Sequence, residues 1–311
     1  MRRLTLDVGP GDAGERLDRF IARRGGISRG LARRAVDAGG VFLDGRRCKV
    51  SGKLVRDGYQ VVVNLEEGGR TALADAPLDR SRLLYADGEL LAVDKPAGVP
   101  AQPTLTSDRG TLPELASGLL GAPVTMVHRL DRETSGVTVF ARTPRAAAAL
   151  AEAFRVGTVE KTYLALTARP PQPREGRVDV PLGKDPARPG ARRVDPAGDA
   201  AATRYATLVS SGAAGDERPA AALVEARPET GRTHQIRVHL AHLGAPLLGD
   251  ARYGGPRRVG ELPIPRVMLH ARRLQLAHPV TGVRMIFEAP VPADLRAVAE
   301  ALLGPGALAE R

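Results

Sequence analysis

The feature that most restricts the fold is a polar stretch that runs directly into an apolar one. Residues 128–136 read HRLDRETSG and residues 137–141 read VTVFA. The apolar run predicts a buried strand, so the polar stretch is expected at the mouth of a sheet, where a scaffold can hold a loop rigid. Asp131 lies there between Arg129 and Arg132. Neighbouring cations and hydrogen-bond donors favour the ionised form of such a carboxylate.

Two interpretations of Asp131 follow from this setting. A carboxylate kept ionised in a rigid loop can serve as a nucleophile or a base. The same pattern also suits an ordinary ion pair within a loop. The residues of this stretch alone leave both interpretations open.

Size and hydrophobic content predict a globular protein without a membrane span. The chain has 311 residues, 43% of them hydrophobic, which allows a large core or two domains. No apolar run approaches the about 18 residues that cross a bilayer, and the first residues lack the apolar core of a signal peptide. We therefore expect a soluble, cytoplasmic protein. The single cysteine, Cys48, can form no internal disulfide and supplies no metal cluster.

The charge of the chain points to a polyanionic partner. The net charge is +11, and 41 of the 46 basic residues are arginines; the guanidinium group suits phosphate because it forms paired hydrogen bonds and stacks on bases. Residues 1–66 alone carry a net charge of +6. The pattern is typical of nucleic-acid binding, although a GC-rich coding bias would also enrich arginine.

The amino-terminal segment predicts two helices followed by a hairpin. Leu17, Phe20 and Ile21 have helical spacing, and Ser28 is a good N-cap for a second helix that ends at residues 39–40. Residues 41–46 and 59–63 are predicted as strands, with a turn at residues 44–45.

This order of elements resembles the S4 RNA-binding domain over residues 14–64. The resemblance implies that exposed arginines of the segment face RNA, whereas a solvated basic lobe is the alternative. Asp44 replaces the asparagine that many S4 domains have before the turn glycine. The predicted boundaries are an S4-like domain at 1–66, a linker at 67–80 and a catalytic domain at 81–304. The arginines expected towards RNA are Arg16, Arg29, Arg33, Arg34 and Arg46.

The larger domain is predicted to mix strands and helices. Residues 83–87, 90–95, 159–166, 203–209 and 222–226 are strand-like, and residues 169–202 suggest a loop or hairpin excursion. In the third strand, alternation places Lys161 and Tyr163 on one face. Helices are predicted over residues 111–120, 144–154 and 292–303, the second with Thr143 as its N-cap and an end near Gly157.

Residues 229–244 form a second polar group of candidates. Thr233 is the predicted N-cap of a helix that ends near Gly244, with Arg232 and Arg237 placed to enter a cleft. The three histidines at positions 234, 239 and 242 spread over about 140° of that helix, unlike the i, i+4 pair that grips one ion. We therefore predict no metal site.

Several of these strings together resemble the RluA-type pseudouridine synthases. They are HRLDRETSG at 128–136, DKPAG at 94–98, GRTHQIR at 231–237, and the segments 249–254 and 268–274. The resemblance implies an α+β fold with a mixed, largely antiparallel sheet, flanking helices and a central cleft. It also implies catalysis without a cofactor. Residues 101–102 read Ala-Gln where the family usually has Val-His.

The resemblance assigns roles to individual residues. Asp131 would attack the uridine, Tyr163 would stack on its base, and Arg237 would pair with Asp131, with Arg232 as the second choice. Arg129 would fill the gap left by the flipped base. The remaining residues expected at the substrate are Leu130, Thr134 and Leu274.

The predicted activity is isomerisation of uridine in RNA by a monomeric enzyme. Large-subunit ribosomal RNA is the expected substrate, because S4-bearing members of the family commonly act on it, and transfer RNA is the alternative. Two other classes stay open. One is a non-catalytic RNA-binding protein on the same scaffold. The other is a hydrolase with a carboxylate nucleophile, for which Glu133 is the nearest second carboxylate.

Overall fold

The structure is a computed structural model that describes residues 2–65, 78–212 and 220–308. Residues 67–77 of the predicted linker at 67–80 fall outside these ranges, and residues 78–80 lie within them. The chain divides into two compact units. Of the described residues, 2–65, 78 and 99–121 belong to the amino-terminal unit, and 79–98, 122–212 and 220–308 belong to the carboxy-terminal unit.

The elements of the amino-terminal unit are β1 (Arg2–Asp7), α1 (Leu17–Gly25), α2 (Arg29–Ala38), β2 (Val41–Leu43), β3 (Arg46–Arg47), β4 (Gln60–Leu65) and α3 (Leu112–Leu120). The strands form a four-stranded antiparallel sheet in the order β1-β4-β2-β3. The core includes Phe20, Ile21 and Val36, all fully buried. Both predicted helices and the hairpin are confirmed.

Local signals in this unit act as the sequence predicts. The Ser28 hydroxyl accepts a hydrogen bond from the Leu31 N–H at 3.2 Å and so caps α2. Asp44 and Gly45 both have positive φ, at 46° and 76°, as the tight turn between β2 and β3 requires. The Asp44 carboxylate accepts a hydrogen bond from the Gln60 N–H at 2.8 Å.

Local sequence patterns do not predict two features of this unit. Strand β1 is half exposed and short of apolar residues, and it is held by pairing with β4. Residues 99–121, which the sequence places in the larger domain, belong to this unit. Arg47 donates to the Thr104 carbonyl at 2.5 Å, and Lys49 pairs with Asp108 at 2.7 Å. These contacts join distant parts of the chain, so no local periodicity reveals them.

The carboxy-terminal unit is built on a ten-stranded mixed sheet. Its strands are β5 (Leu83–Ala86), β6 (Leu90–Lys95), β7 (Thr125–Met126), β8 (Ser135–Ala141), β9 (Glu160–Thr167), β10 (Glu175–Asp179), β13 (Ala202–Ser211), β14 (Ala221–Pro228), β17 (Leu269–Ala277) and β18 (Arg284–Glu288). The order along the main path is β10-β13-β14-β9-β17-β8-β6-β5, with β18 on β17 and β7 on β8. Among these described strands, β8 and β17 form the parallel pair. The predicted fold class is confirmed.

Helices and small hairpins complete this unit. The helices are α4 (Pro144–Val156), α5 (Gln235–His242) and α6 (Ala293–Leu303), and the hairpins are β11 (Leu182–Lys184) with β12 (Arg192–Val194) and β15 (Arg258–Val259) with β16 (Leu262–Pro263). The Thr143 hydroxyl caps α4 by accepting from the Ala146 N–H at 3.1 Å, as predicted. The excursion at 169–202 contributes β10 to the main sheet as well as the hairpin β11–β12.

Strand β8 lies in the middle of the sheet, between β6 and β17, and every one of its residues is buried. Gly136 within it has φ 115°, and a Cβ atom there would lie 2.2 Å from the Ala271 carbonyl oxygen. Only glycine therefore allows β8 and β17 to approach this closely. The loop that carries Asp131 leads directly into β8, so the end of the loop is held by a buried strand.

The start of α5 differs from the prediction. The predicted N-cap was Thr233, but the helix begins one residue later, with His234 at the cap position and no side-chain capping bond. His234 has φ 58° and ψ 17°, in the left-handed region. The sequence favoured Thr233 because a hydroxyl is a good cap. Contacts of the His234 ring, described below, hold the backbone in this other conformation.

Candidate active site

A cavity of about 360 Å³ opens in the carboxy-terminal unit, above the start of β8. Its walls come from the loop before β8, from β9, from α4 and from the start of α5. The polar residues that line it include Arg129, Asp131, Thr134, Lys161, Tyr163, Arg232, His234 and Arg237. Val127, Phe154, Ile236 and Leu269 supply apolar surface. A concave apolar site with a few converging polar groups is typical of a binding site.

Asp131 and Arg237, which lie 106 residues apart, meet in this cavity. One guanidinium nitrogen of Arg237, Nη1, donates to Asp131 Oδ2 at 3.1 Å. The other two donate to Asp250, at 2.7 and 2.8 Å. Asp131 is 20% exposed, whereas Arg237 is 9% and Asp250 1% exposed. The two carboxylates therefore fix the guanidinium plane, and Asp131 keeps access to the cavity.

Electrostatics follow from this burial. The pKa of Arg237 is raised above its usual range, because its two carboxylate partners outweigh the desolvation that opposes them. Arg237 is thus permanently charged next to Asp131. Its guanidinium carbon also lies 5.0 Å from the centre of the Tyr253 ring, in a cation–π contact.

Two buried cations hold the Asp131 loop from behind by its backbone. The Lys95 ammonium, 0% exposed, donates to the carbonyls of Arg132 at 3.0 Å and Thr134 at 2.7 Å. Arg266 donates to the carbonyl of Glu133 at 3.1 Å. Three consecutive carbonyls after Asp131 therefore each accept from a buried cation. Burial lowers the pKa of Lys95 to about 7, while Asp131 and Asp94 oppose the shift.

Tyr163 and Lys161 project from one face of β9 into the cavity, as predicted by strand alternation. Burial, together with the charge of Asp131, raises the pKa of Tyr163, so its phenol keeps its proton at neutral pH. Burial lowers the pKa of Lys161, and its ammonium donates to the Thr230 carbonyl at 3.2 Å.

His128 is a structural residue of the same loop. Its Nε2 accepts a hydrogen bond from the Val139 N–H at 2.9 Å, and its ring stacks on Phe154 with centroids 4.4 Å apart. Burial lowers the pKa of His128 to about 3. A neutral ring with Nε2 as acceptor therefore fastens the loop to β8.

The structure brings most of the predicted site residues together. Arg129, Leu130, Thr134 and Arg232 line the cavity with the three predicted catalytic residues. Leu274 does not line it. That side chain is 3% exposed and packs within the apolar core, although it pairs across the strands with the cavity residue Lys161. Leu269, at the start of the same strand, lines the cavity instead.

The contacts also distinguish Arg232 from Arg237 as the partner of Asp131. Arg232 donates from Nε to the Ala200 carbonyl at 3.0 Å and is exposed. Arg237 makes the bond to Asp131. Glu133, the second carboxylate that a hydrolase would need, is not among the residues that line the cavity.

Sequence reasoning missed the residues that support the site. Lys95 and Arg266 act on backbone carbonyls, a contact that has no sequence signature. Asp250 and Tyr253 lie in the segment 249–254, whose residues carry no individual role in the sequence prediction. The sequence raises His234 as a candidate metal ligand and not as a partner of Asp131. A buried arginine is stable only when its charge is paired and its N–H groups are hydrogen-bonded. This requirement is the one signal that points to a second carboxylate near Arg237.

The arginines predicted to face RNA lie on the amino-terminal unit, and all five are exposed. Two of them also hold the buried Asp18, which is 1% exposed: Arg16 at 3.2 Å and Arg29 at 3.0 Å. Arg33 lies 4.0 Å from Asp37, one helical turn away. We call the five, Arg16, Arg29, Arg33, Arg34 and Arg46, the arginine face.

Two negative findings apply to the described residues. Within residues 2–65, 78–212 and 220–308, no group of three or more His, Cys, Asp or Glu side chains is placed to hold a metal ion. In the same ranges, every helix is too short or too polar to cross a bilayer.

Comparison with known protein families gives two matches along the chain. Residues 89–242 match the RNA pseudouridylate synthase family, and residues 15–61 match the S4 domain. The first match contains Asp131, Tyr163 and Arg237. The second contains the arginine face.

Individual relatives agree with these matches. The chain is 37% identical to an uncharacterized RNA pseudouridine synthase of Bacillus subtilis (strain 168), covering 78% of this chain and 79% of that protein. It is 36% identical to ribosomal large subunit pseudouridine synthase D of Xanthomonas campestris pv. campestris, over 93% of this chain and 89% of the relative. Among solved structures, human RNA pseudouridylate synthase domain containing 4 superposes with a TM-score of 0.58 at 30% identity, covering 75% of this chain and 95% of the human one.

Proposed function

The chain belongs to the RluA-type family of RNA pseudouridine synthases, and from this premise we propose that it modifies large-subunit ribosomal RNA with Asp131 as its nucleophile. An isomerase of this kind breaks the N-glycosidic bond of uridine, turns the base and joins C5 to the ribose. The C5 hydrogen leaves as a proton and N1 gains one, so the overall change is an isomerisation.

The observation that carries the role of Asp131 is its contact with Arg237. The carboxylate faces a cavity large enough for a nucleobase, and one of its oxygens is bound by a guanidinium that Asp250 fixes in place. A nucleophile held in one orientation avoids much of the entropic cost of reaction. Tyr163, protonated and beside Asp131, offers a ring face for stacking on the base.

A uridine within folded RNA must leave its stack to reach Asp131. Flipping costs a few kcal/mol and leaves a gap that a side chain can fill. Arg129 is exposed at the rim of the cavity, two residues before Asp131. We assign it the role of occupying the gap, because a guanidinium plane stacks on neighbouring bases.

The substrate assignment draws on the relatives and on charge. A relative of 36% identity over 93% of this chain is named a ribosomal large subunit synthase. The arginine face on the S4 unit supplies sequence-independent attraction for RNA phosphate. Transfer RNA is the alternative substrate.

Asp131 is tested with the Asp131→Ala variant and its isosteric companion Asp131→Asn. Uridine labelled with tritium at C5 releases the label when pseudouridine forms, so release measures the reaction directly. We expect both variants to release no label while they bind the RNA with wild-type affinity. Continued release by Asp131→Ala would exclude the nucleophile role.

The substrate is tested by mapping pseudouridines in total RNA from cells with and without the protein. The expected result is loss of one or more sites in large-subunit ribosomal RNA, restored by the wild-type gene but not by Asp131→Ala. Loss of a transfer RNA site with ribosomal RNA unchanged would overturn the assignment.

A further inference from the structure

His234 stands out in the cavity because of its backbone. It has φ 58° and ψ 17° at the cap position of α5, a conformation uncommon for a residue other than glycine. Such conformations persist where surrounding contacts determine them, and they concentrate at functional sites. The contacts of the His234 ring therefore indicate what this conformation achieves.

Both ring nitrogens of His234 have polar neighbours. Nδ1 lies 2.7 Å from the Tyr253 hydroxyl oxygen. Nε2 lies 3.8 Å from Asp131 Oδ2. The imidazole is 14% exposed and packs edge-on against the Tyr253 ring, with centroids 5.6 Å apart. The ring thus spans the space between the tyrosine and the aspartate.

The bonds of Tyr253 favour one tautomer of His234. The backbone N–H of Arg192, on the hairpin β11–β12, donates to the Tyr253 hydroxyl oxygen at 2.9 Å. That oxygen is already an acceptor, so its own hydrogen is available to His234 Nδ1. With Nδ1 accepting, the ring hydrogen of a neutral imidazole lies on Nε2. It then faces the Asp131 carboxylate.

The charge state agrees with this arrangement. Burial lowers the pKa of His234 to about 4, while Asp131 opposes the shift and the cations Arg237 and Arg252 add to it. The other titratable groups that face the ring are Asp250 and Tyr253. His234 is therefore neutral at pH 7.

We propose that His234 is a positioning residue that directs a neutral N–H group at Asp131, with Tyr253 setting its tautomer. Arg237 and His234 both address Oδ2, so Oδ1 is the oxygen assigned to attack the substrate. The proposal requires this 3.8 Å separation to shorten to hydrogen-bond distance when the substrate is bound. This inference rests on Asp131 being the nucleophile, as proposed above.

The alternative is that His234 only fills space. In that case its size and ring contacts matter, whereas its hydrogen does not. Two replacements of similar bulk separate these roles. His234→Gln keeps an N–H donor at the corresponding distance from the backbone, and His234→Leu lacks one. Both replacements place a side chain at the same left-handed φ, so their backbone strain is comparable.

The experiment measures the single-turnover rate of tritium release and, separately, the Kd for RNA. A hydrogen bond to a charged group corresponds to a change of roughly tenfold to hundredfold. We expect His234→Leu to slow the reaction by that factor with an unchanged Kd, and His234→Gln to recover most of the rate. Tyr253→Phe keeps the ring beneath Arg237 but frees the tautomer, and we expect it to slow the reaction several-fold. Thermal unfolding of each variant shows that the fold is kept.

Two results would overturn the inference. Equal rates for His234→Gln and His234→Leu would show that the hydrogen of His234 has no role. A wild-type rate for Tyr253→Phe would show that the tyrosine does not set the tautomer. Both results are compared with the Asp131→Ala variant. If Asp131→Ala still isomerises uridine, Asp131 is not the nucleophile and the role of His234 is excluded as well. If Asp131→Ala is inactive, a negative result excludes only the role of His234.

Discussion

Arginine serves different purposes in the cavity and on the arginine face. Arg237 is 9% exposed and bonded to two carboxylates, whereas Arg33 is 67% exposed and lies 4.0 Å from Asp37. An exposed pair gains little because water and salt screen it. A buried pair is strongly coupled, and loss of one partner leaves an uncompensated charge. Burial therefore makes arginine a positioning group, and exposure makes it a source of long-range attraction.

The difference between buried and exposed arginine is most severely tested by removing Asp250, the second carboxylate bound to Arg237. Asp250→Ala leaves Arg237 buried with Asp131 as its remaining carboxylate partner. We expect a loss of about 3–5 kcal/mol in the free energy of unfolding, as for other broken buried pairs. The guanidinium is also free to turn, and we expect kcat to fall about a hundredfold, since small misplacements cost this much. Urea unfolding and steady-state kinetics measure the two effects.

A matched control removes one carboxylate of an exposed pair. Glu261, fully exposed, lies 3.0 Å from Arg258, and Glu261→Ala should leave the free energy of unfolding close to the wild-type value. Equal effects of the two substitutions would break the distinction between buried and exposed arginine.

The second prediction concerns the arginine face. The double variant Arg33→Glu with Arg34→Glu should weaken RNA binding at least about tenfold and lower the slope of log K against log salt by about one for each lost phosphate contact. At saturating RNA, kcat should stay at the wild-type value, because neither side chain lines the cavity. Filter binding at several salt concentrations gives the slope.

The control for this variant reverses two exposed arginines of the carboxy-terminal unit. Arg257→Glu with Arg258→Glu makes the same change in net charge. A comparable loss of affinity in this control would mean that net charge, rather than the arginine face, governs binding.

The smallest expected effect is a difference in the response of the two units to acid. All six histidines lie between residues 128 and 278, in the carboxy-terminal unit. Burial lowers the pKa of His270 to about 4, from an ordinary value of 6.5. Between these values the unfolded chain binds more protons than the folded one, so stability falls as pH is lowered from 6.5 to 4. The expected slope is about 1.4 kcal/mol per pH unit for this histidine.

Urea unfolding at pH 6.5, 5.5 and 4.5 checks this slope. His270→Gln should reduce it, whereas His242→Gln, at an exposed position, should leave it unchanged. An identical slope in both variants would show that His270 does not contribute to the acid response.

Local signals made most of the fold predictable. The caps Ser28 and Thr143, the turn at 44–45 and the alternation in β9 all appear as the sequence indicates. The motif that contains Asp131 led to the cavity because polar residues before a buried strand must lie at the sheet edge. Each of these predictions depends on residues within one or two turns of each other.

The remainder depends on contacts between distant residues. Arg266 reaches the Glu133 carbonyl across 133 positions of sequence, and carbonyls are present at every position, so no residue type marks the contact. Thr233 was the better cap by propensity, but the ring contacts of His234 with Tyr253 outweigh that preference. The segment 268–274 predicts Leu274 at the substrate, but packing against distant apolar residues buries its side chain in the core.

The hydrogen bonds from Lys95 and Arg266 to the Asp131 loop affect which residues of that loop tolerate substitution. Both cations bind main-chain oxygens, which survive every amino-acid substitution. The side chain of Glu133 can therefore be exchanged, by drift or by an engineer who wishes to alter contacts with RNA, while the path of the loop stays as it is. Lys95 and Arg266 themselves cannot be replaced without loss of these hydrogen bonds, and neither side chain lines the cavity.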